Sequence, residues 1–213
     1  MIGNLALLTK MSIRKTGKVR RVRRAPEDAR ANILAAAEKL LVERGPLALK
    51  LADVALAAGV ANASVIHHFG SIDGLHAALM ERMVGQLIAE VLALAEKGGP
   101  TREDTQEAVF QALFEVFERR GAARLAAWLE LTGEWRRITH IRDAVQSVVV
   151  RRASFGDVNP QQAQDLILIS VTLAMGAGLF GHALAELVGK PPGHAREVAM
   201  EMLRVFHAAQ VAK

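Results

Sequence analysis

The apolar residues of this chain return at the three-to-four-residue spacing of one helix face from about residue 26 to the end. The first such run is Ile33, Leu34, Ala37, Leu40 and Leu41. Later runs keep the same period, and the sequence holds neither an internal repeat nor the strict alternation of apolar and polar residues that marks a half-buried strand. The pattern therefore predicts an all-α fold.

Helix-breaking and helix-capping residues divide the N-terminal part of this pattern into three helices. Pro26 suits the first turn of a helix, and the two acidic residues behind it favour the positive end of the helix dipole. Gly45, which is followed by proline, ends this first helix. Gly59 then separates two short helices, of which Asn62 is predicted to cap the second and Gly70 to end it.

Longer helices are predicted for the rest of the chain. Ser71 caps a fourth helix in which leucine and methionine recur every four positions until Gly98 closes it. Turn residues then delimit five more helices, over about residues 102–119, 122–132, 135–154, 160–188 and 193–211. Aromatic residues make up only 4% of the chain and Tyr is absent, a composition that favours helices over strands.

The two short helices around Gly59 have the layout of a helix-turn-helix between about Lys50 and Phe69. In such a unit the second helix lies in the major groove of DNA, and its apolar side is held by the other helices of the domain. Val54 and Val65 supply the apolar side here. The opposite side of the second helix carries short or planar hydrogen-bonding groups, namely Asn62, Ser64, His67 and His68.

The stretch from Asn32 to Leu75 resembles the DNA-binding domain of TetR-type (TetR/AcrR) transcriptional regulators. The residues that carry this resemblance by their spacing are Ile33-Leu34-x-Ala36-Ala37, Gly45, Val54-Ala55-x-x-Ala58-Gly59-Val60 and His68-Phe69. The resemblance implies a helix-turn-helix DNA-binding domain over residues 26–71 and a helical ligand-binding and dimerisation domain over residues 72–213. It further implies a homodimer, typically a repressor that a small molecule releases from its operator.

Carried over position by position, the resemblance implies contacts with double-stranded DNA at eight residues. The phosphate contacts fall at Lys50, Ser64, His67 and His68. The base-edge contacts fall at Ala52, Asn62, Ala63 and Ile66. Asn62 is suited to a bidentate pair with adenine, and Ile66 is suited to contact with a thymine methyl group.

The chain departs from the family's usual pattern at and around these contacts. Lys50 stands where threonine is usual, Ile66 where tyrosine is usual, and Ile72 where a phosphate-anchoring lysine is usual. Ala61 replaces a capping serine, and Ala52 is too short to reach far into a groove. Two phosphate contacts are thus lost while Lys50 restores one, so the anchoring of this helix-turn-helix on DNA is expected to be weaker.

Positive charge is concentrated at the start of the chain. The first 26 residues carry eight Lys or Arg and no acid, whereas the remaining chain carries 19 basic and 22 acidic residues. Residues 1–25 are therefore predicted to form a disordered basic arm that contacts DNA phosphates or the minor groove. The alternative is a solubilising tail, or a start of translation at Met11.

The sequence predicts no catalytic residue, no metal site and no cofactor. The chain lacks cysteine, which excludes disulfides, thiolate catalysis and zinc-thiolate sites and fits the reducing cytoplasm. It also lacks a Gly-x-Ser-x-Gly motif, a phosphate-binding loop and paired carboxylates with an orienting partner. His67 and His68 point about 100° apart on a helix, and the other histidines have no ligand spacing.

A secretory signal is not predicted, because the basic residues follow the short apolar start.

Residues 166–185 contain no Asp, Glu, Lys or Arg, a composition shared by membrane spans and buried dimer helices. Ser170, Thr172 and His182 lie within this stretch, and no basic cluster flanks it closely, which argues against a membrane span. The resemblance implies a homodimer formed through helices at about residues 160–188 and 193–211, and we predict no membrane association. A membrane-associated helical protein is the alternative.

A cluster of aromatic residues and one leucine predicts a pocket for a small-molecule effector. Its members are Phe110, Phe114, Phe117, Trp128, Leu131 and Trp135, which the alternative interpretation places in an ordinary core. Few charged residues fall at inward positions there, so the ligand is expected to be apolar.

The chain is thus predicted to be a cytoplasmic, homodimeric, ligand-responsive repressor that reads a palindrome. A nonspecific architectural DNA-binding protein, driven by the basic arm, is the rival hypothesis.

Overall fold

The computed structural model of the protein describes residues 26–138, 140–154 and 159–211. The basic arm predicted over residues 1–25 lies outside these ranges. Within them the chain forms nine α-helices and no β-strand, so the predicted all-α class is confirmed.

The helices follow one another along the chain with short connections. They are α1 (Pro26–Arg44), α2 (Leu51–Ala58), α3 (Asn62–Phe69), α4 (Ile72–Lys97), α5 (Arg102–Phe114), α6 (Ala122–Leu131), α7 (His140–Ser154), α8 (Pro160–Leu187) and α9 (His194–Val211). Single 3-10 turns cover Pro46–Ala48 and Glu134–Arg137, and α5 runs on into a π-helical turn over Glu115–Arg119. The π-helical turn is the less common geometry and widens the backbone locally.

The ends of α2 and the start of α4 follow from local sequence. Gly59 takes the left-handed conformation (φ 66°), which glycine adopts without a steric penalty, and its N–H donates to carbonyls in the last turn of α2. The Ser71 hydroxyl accepts a hydrogen bond from the N–H of Gly74 at 3.1 Å, so the predicted N-cap of α4 is confirmed. Gly59 and Ser71 therefore define the turns that connect α3 to α2 and to α4.

The predicted cap of α3 is wrong. Asn62 is the first helical residue, and Ala61 precedes it in an extended conformation without a side-chain cap. The turn accounts for this difference, because the Val60 N–H donates to the Ala55 carbonyl at 3.0 Å and the chain enters α3 one residue earlier. The side chain of Asn62 is consequently exposed instead of folded back on its own helix.

Two of the later helices also differ from their prediction. Residues 102–119 are helical, but their last turn is the π-helical turn Glu115–Arg119. The helix predicted over residues 135–154 begins only at His140. Ile138 takes a non-helical conformation (φ −86°, ψ 82°) and packs against the core, so burial of this side chain outweighs continuation of the helix.

One hydrophobic core extends from α1 to α9. Its fully buried side chains include Ile33, Val54, Val65, Leu79, Phe114, Leu125 and Leu203. Helix α4 contacts α1 and α3 near its start and α5, α6 and α7 along its length, so it joins the first three helices to the rest. The division into domains at residue 72 stays a prediction.

Arginine side chains fasten the start of α6 to α1. Arg120 Nε donates to a carboxylate oxygen of Glu38 at 2.6 Å, and its Nη2 donates to Gln86 on α4 at 2.7 Å. Arg124 Nη2 donates to the carbonyls of Leu41 and Val42 at 3.2 and 3.0 Å. A cation at this position also complements the negative end of the α1 dipole.

Candidate functional site

The first candidate site is the outer surface of α3, which its neighbours hold in place. Val54 and Val65 are fully buried beneath α2 and α3. Asn32 Nδ2 donates to the carbonyl of Ala58 at 2.7 Å, which ties the end of α2 to α1. The Arg30 guanidinium lies 5.3 Å from the centre of the Phe69 ring, and this contact supports the other end of α3. A helix of eight residues is unstable alone, so these contacts fix its orientation.

The residues assigned to DNA by the resemblance share this surface. Lys50 directly precedes α2, Ala52 lies in its first turn, and the others belong to α3. The exposed members are Lys50, Ala52, Asn62, Ala63, Ile66 and His67, whereas Ser64 and His68 are half-buried. This surface, formed by the eight residues, is called the recognition face below.

The recognition face is poor in charge. Lys50 is the one Lys or Arg between residues 50 and 69, and Asp53 is the one acid. Asp53 lies 3.5 Å from Arg44 at the end of α1, an exposed ion pair that contributes little to stability. Short polar and apolar side chains therefore dominate the face, a composition suited to reading base edges more than to gripping phosphates.

The second candidate site is an apolar cavity of about 120 Å³ lined by side chains of α4, α5, α7 and α8. Phe110 and Phe117 line it together with valine, leucine and isoleucine side chains. Its polar lining consists of Gln106 and Ser170, each 7% exposed, and no charged side chain of the described residues lines it. We call this space the inner cavity.

The structure brings only two of the six predicted pocket residues, Phe110 and Phe117, to the inner cavity. Phe114 is fully buried in the core and faces Arg196 on α9, with 5.6 Å between the guanidinium and the ring centre. The Trp128 ring meets His76 on α4 edge-on at 6.3 Å between ring centres. These side chains therefore fill space between helices instead of lining the inner cavity.

The two remaining pocket residues lie further from the inner cavity. Trp135 is half exposed and lines a separate lateral cavity of about 300 Å³, together with Phe117 and Met175. Leu131, the last residue of α6, is 85% exposed and lines neither space. The periodicity of the sequence cannot distinguish residues that line a cavity from residues that do not. It indicates which face of a helix is apolar, but not which other helix packs against that face.

Sequence reasoning missed Gln106 and Ser170. Gln106 shares one face of α5 with Phe110 and Leu113, at spacings of four and seven residues. A lone polar residue on an otherwise apolar helix face was the available signal for it. Ser170 is recognisable in the sequence as a polar residue of the apolar stretch 166–185, but the sequence does not indicate that it faces a cavity.

A third space, of about 650 Å³, lies between α5 and α9 and is called the outer pocket. Arg204 donates from Nε and Nη2 to the two carboxylate oxygens of Glu107, each at 2.9 Å, and from Nη1 to Glu201 at 2.9 Å. These hydrogen bonds from Arg204 lower the pKa of the Glu107 carboxyl, because they favour its charged form. Glu107 and Arg204 are therefore held as an ion pair at the wall of the outer pocket.

Large apolar side chains are exposed along α8 and α9. They are Leu168, Phe180, Leu184 and Leu187 on α8, Val188 directly after it, and Val198, Met202 and Val205 on α9. This set is called the α8–α9 face. By length and composition α8 is also the one described helix that is apolar enough to cross a membrane. Large apolar side chains that are exposed along two packed helices are typical of an interface in a soluble protein.

No group of three His, Asp or Glu side chains in residues 26–138, 140–154 and 159–211 is arranged to hold a metal ion. The adjacent rings of His67 and His68 lie 5.5 Å apart in an edge-on arrangement. They belong to the recognition face described above.

Comparison with known proteins agrees with this geometry. Residues 33–79 match the model of the family described as bacterial regulatory proteins, tetR family. The HTH-type transcriptional regulator BetI of Rhizobium meliloti is 28% identical over 113 residues, which cover 53% of this chain and 55% of that protein. The match thus spans only about half of this curated relative.

Solved structures show the same fold over most of both chains. A putative TetR-family transcriptional regulator from Rhodococcus sp. superimposes with a TM-score of 0.62 at 19% identity, covering 84% of this chain and 98% of the other. The multidrug binding protein EbrR, solved in complex with ethidium, superimposes with a TM-score of 0.57 at 20% identity, covering 84% and 98%. At these identities the likeness establishes the fold alone.

Proposed function

We propose that this chain is a DNA-binding transcriptional repressor, because residues 33–79 match the model of the tetR family of bacterial regulatory proteins. It acts as a homodimer in the cytoplasm and leaves a palindromic operator when a small apolar ligand binds. The observation that carries this proposal is the recognition face, with Val65 buried and Asn62 and Ile66 exposed on the same short helix. Regulators of this family are generally not enzymes, and we assign no catalytic residue.

In the proposed complex α3 lies in the major groove. Asn62 pairs with an adenine and Ile66 contacts a thymine methyl group, while the small side chains of Ala52 and Ala63 allow close approach to base edges. Lys50 and the polar groups of Ser64, His67 and His68 contact phosphates. Support comes from the exposure of these side chains and from the family match over the same residues.

The proposed dimer forms through the α8–α9 face of two copies. A two-fold axis would place the two recognition faces on successive turns of one side of the duplex, as a palindrome requires. The exposed apolar side chains of the α8–α9 face support this arrangement, because burial of such surface drives stable association. The same reasoning favours a partner helix over a lipid bilayer as the environment of α8.

The ligand is proposed to bind in the inner cavity and to act through α4 and the π-helical turn. Val84 and Leu87 of α4 line the cavity, and α4 begins directly after α3. Phe117 also lines the cavity, three residues before Arg120, which is paired with Glu38 on α1. Ligand would favour the arrangement in which the two recognition faces no longer fit one operator. The complex of the similarly folded EbrR with ethidium supports a ligand-binding role.

Selection of bound sequences from a random pool of DNA duplexes tests the proposal. We expect enrichment of one palindrome, and we expect Asn62→Ala to weaken the preference at one adenine in each half-site. Enrichment that does not exceed nonspecific DNA would overturn the proposal and favour an architectural DNA-binding protein driven by the eight basic residues before Pro26. Protein that is extracted only with detergent would favour the membrane-associated alternative.

A further inference from the structure

The inner cavity and the outer pocket share a wall. Gln106 and Phe110 lie one turn apart on α5 and line both spaces. They are 7% and 2% exposed, so these two buried side chains form part of the wall between the two spaces. Movement of these side chains would join an apolar chamber to a polar one that opens between α5 and α9.

The inner cavity sets the size and character of the part of a ligand that it holds. An engineered apolar cavity of roughly 150 Å³ binds benzene, so the inner cavity matches a ring or a chain of about six carbons; its own volume is about 120 Å³. Ser170 and Gln106 are its polar groups. An ionised group in this cavity would lose its hydration without meeting an opposite charge among the described lining residues.

Two carboxylates at the wall of the outer pocket already accept hydrogen bonds. Both carboxylate oxygens of Glu107 accept hydrogen bonds from Arg204, which also binds Glu201. Asp104 accepts hydrogen bonds from the N–H and the hydroxyl of Thr101 in the cap of α5. A charged headgroup would compete with these partners, whereas an uncharged polar headgroup can hydrogen-bond beside them.

We propose that the effector is an uncharged amphiphile that enters through the outer pocket. Its apolar body of about six carbons fills the inner cavity, and its hydroxyl, ketone or amide head hydrogen-bonds to the side-chain amide of Gln106. A primary amide has two donor hydrogens and an acceptor oxygen, so Gln106 can bind either kind of head in addition to its own contacts. This inference rests on the proposed ligand-responsive function. It assigns to Gln106 the role of binding the uncharged head, while the loss of hydration in the inner cavity disfavours charged ligands.

The test compares three probes that share one tail. The full-length protein is titrated with 1-hexanol, hexanoate and hexylammonium at about pH 7, where the last two are ionised, and binding is followed by the NMR shifts of isoleucine and valine methyl groups. We expect 1-hexanol to bind at least about tenfold more tightly than either ion, because only the ions must give up strong hydration. Equal binding of the three probes, tighter binding of an ion, or binding of none of them would overturn the proposal.

A pair of variants tests the role of Gln106. Gln106→Met keeps the length of the side chain and removes its hydrogen bonding. We expect this variant to bind 1-hexanol about tenfold more weakly and to retain the binding of benzene. Gln164→Met, at an exposed position of α8 that lines neither the inner cavity nor the outer pocket, is the matched control and should leave the binding of both probes unchanged. Retained benzene binding shows that the variant is folded, so unchanged 1-hexanol binding in Gln106→Met would contradict the assignment.

The outcome is independent of the DNA experiment. A protein that selects a palindrome but binds no uncharged probe refutes the ligand class and leaves the regulator intact. A protein that binds 1-hexanol through Gln106 but selects no DNA sequence refutes the proposed regulator and leaves the ligand site intact.

Discussion

His76 is a buried ionisable residue at the junction between the helix-turn-helix and the later helices. It lies in the first turns of α4, is 2% exposed, and packs edge-on against Trp128 of α6. Burial lowers the pKa of its imidazole, because the charged form would lose its hydration; nearby Asp73 and the Pro46 backbone oppose this shift more weakly. His76 is therefore held in its neutral form in the folded protein at neutral pH.

The first prediction is that folding stability falls on acidification because of His76. The unfolded chain takes up the proton near its ordinary pKa of 6.5 and the folded chain only below it. Stability is therefore complete above that pH and declines below it, by up to about 1.4 kcal/mol per pH unit until the folded pKa is reached. Urea unfolding at a series of pH values measures this slope. We expect His76→Gln to flatten it, whereas exposed His140→Gln should keep it; parallel slopes in all three proteins would contradict the prediction.

Gly178 illustrates a steric requirement at the residue scale. A Cβ atom at this position of α8 would lie 2.8 Å from the Phe117 carbonyl oxygen and 2.8 Å from the Cβ of Ala123. Neither neighbour can move aside without shifting backbone. The absence of a side chain thus allows α8 to pack directly on the π-helical turn and the start of α6.

We predict that Gly178→Ala destabilises the protein by about 1–3 kcal/mol, as overpacked cores do. Gly85→Ala on α4 is the matched control, because no other atom lies within 4 Å of a Cβ added there. That substitution should stabilise the protein by roughly 0.5–1 kcal/mol, since alanine is the better helix former. Chemical unfolding of both variants measures the difference, and a stabilising Gly178→Ala would show that α8 does not approach the turn so closely.

At the scale of the element, the helix-turn-helix combines a familiar scaffold with unusual contacts. The apolar residues and Gly59 serve packing and the turn, whereas Lys50 and Ile66 face outward. With a single Lys or Arg over residues 50–69, the unit makes few charge-assisted phosphate contacts of its own. Affinity for DNA should therefore depend strongly on each positive charge that remains.

Replacing Lys50 with alanine tests that dependence. The slope of log affinity against log salt should become smaller by about one unit, because one phosphate contact is lost, with little change in sequence preference. Exposed Lys97 at the far end of α4 is the control, and Lys97→Ala should leave the slope unchanged. Titrations of operator DNA at several salt concentrations give both slopes; identical slopes for wild type and Lys50→Ala would show that Lys50 does not touch phosphate.

The basic arm is the other source of positive charge, and its residues lie outside the described ranges. If it compensates for the lysine that Ile72 replaces, deletion of residues 1–24 should reduce the same salt slope by several units, since it removes eight basic residues. The palindrome selected by the truncated protein should stay the same, because α3 is intact. A slope that does not change on truncation would assign the arm to solubility alone.

At the scale of the whole molecule, we expect the α8–α9 face to decide assembly. Phe180 is 60% exposed in the C-terminal third of α8, with other exposed apolar side chains before and after it along the helix. An apolar set of this extent is costly to leave in water, so we expect the protein to be dimeric at micromolar concentration.

Phe180→Asp should shift the protein to monomers in sedimentation experiments, because a carboxylate buried in an apolar interface is left without a partner. Loss of the dimer should also weaken binding to the palindrome, since each monomer then holds only one half-site. Leu131→Asp is the control: it places the same charge at an even more exposed leucine outside this face and should leave assembly unchanged. A dimeric Phe180→Asp protein would place the interface elsewhere.

The sequence by itself determined the all-helical class, most helix boundaries and the helix-turn-helix. These depend on local causes: the 3.6-residue period, the left-handed preference of Gly59 and the capping hydroxyl of Ser71 act within a few residues of the chain. Tertiary structure decided which predicted pocket residues face a cavity. Phe110 and Leu131 look alike in periodicity, yet one is buried at the inner cavity and the other is exposed, because four helices distant in sequence enclose that space. The break at Ile138 and the role of Gln106 have the same origin, since each depends on what the rest of the fold places opposite the side chain.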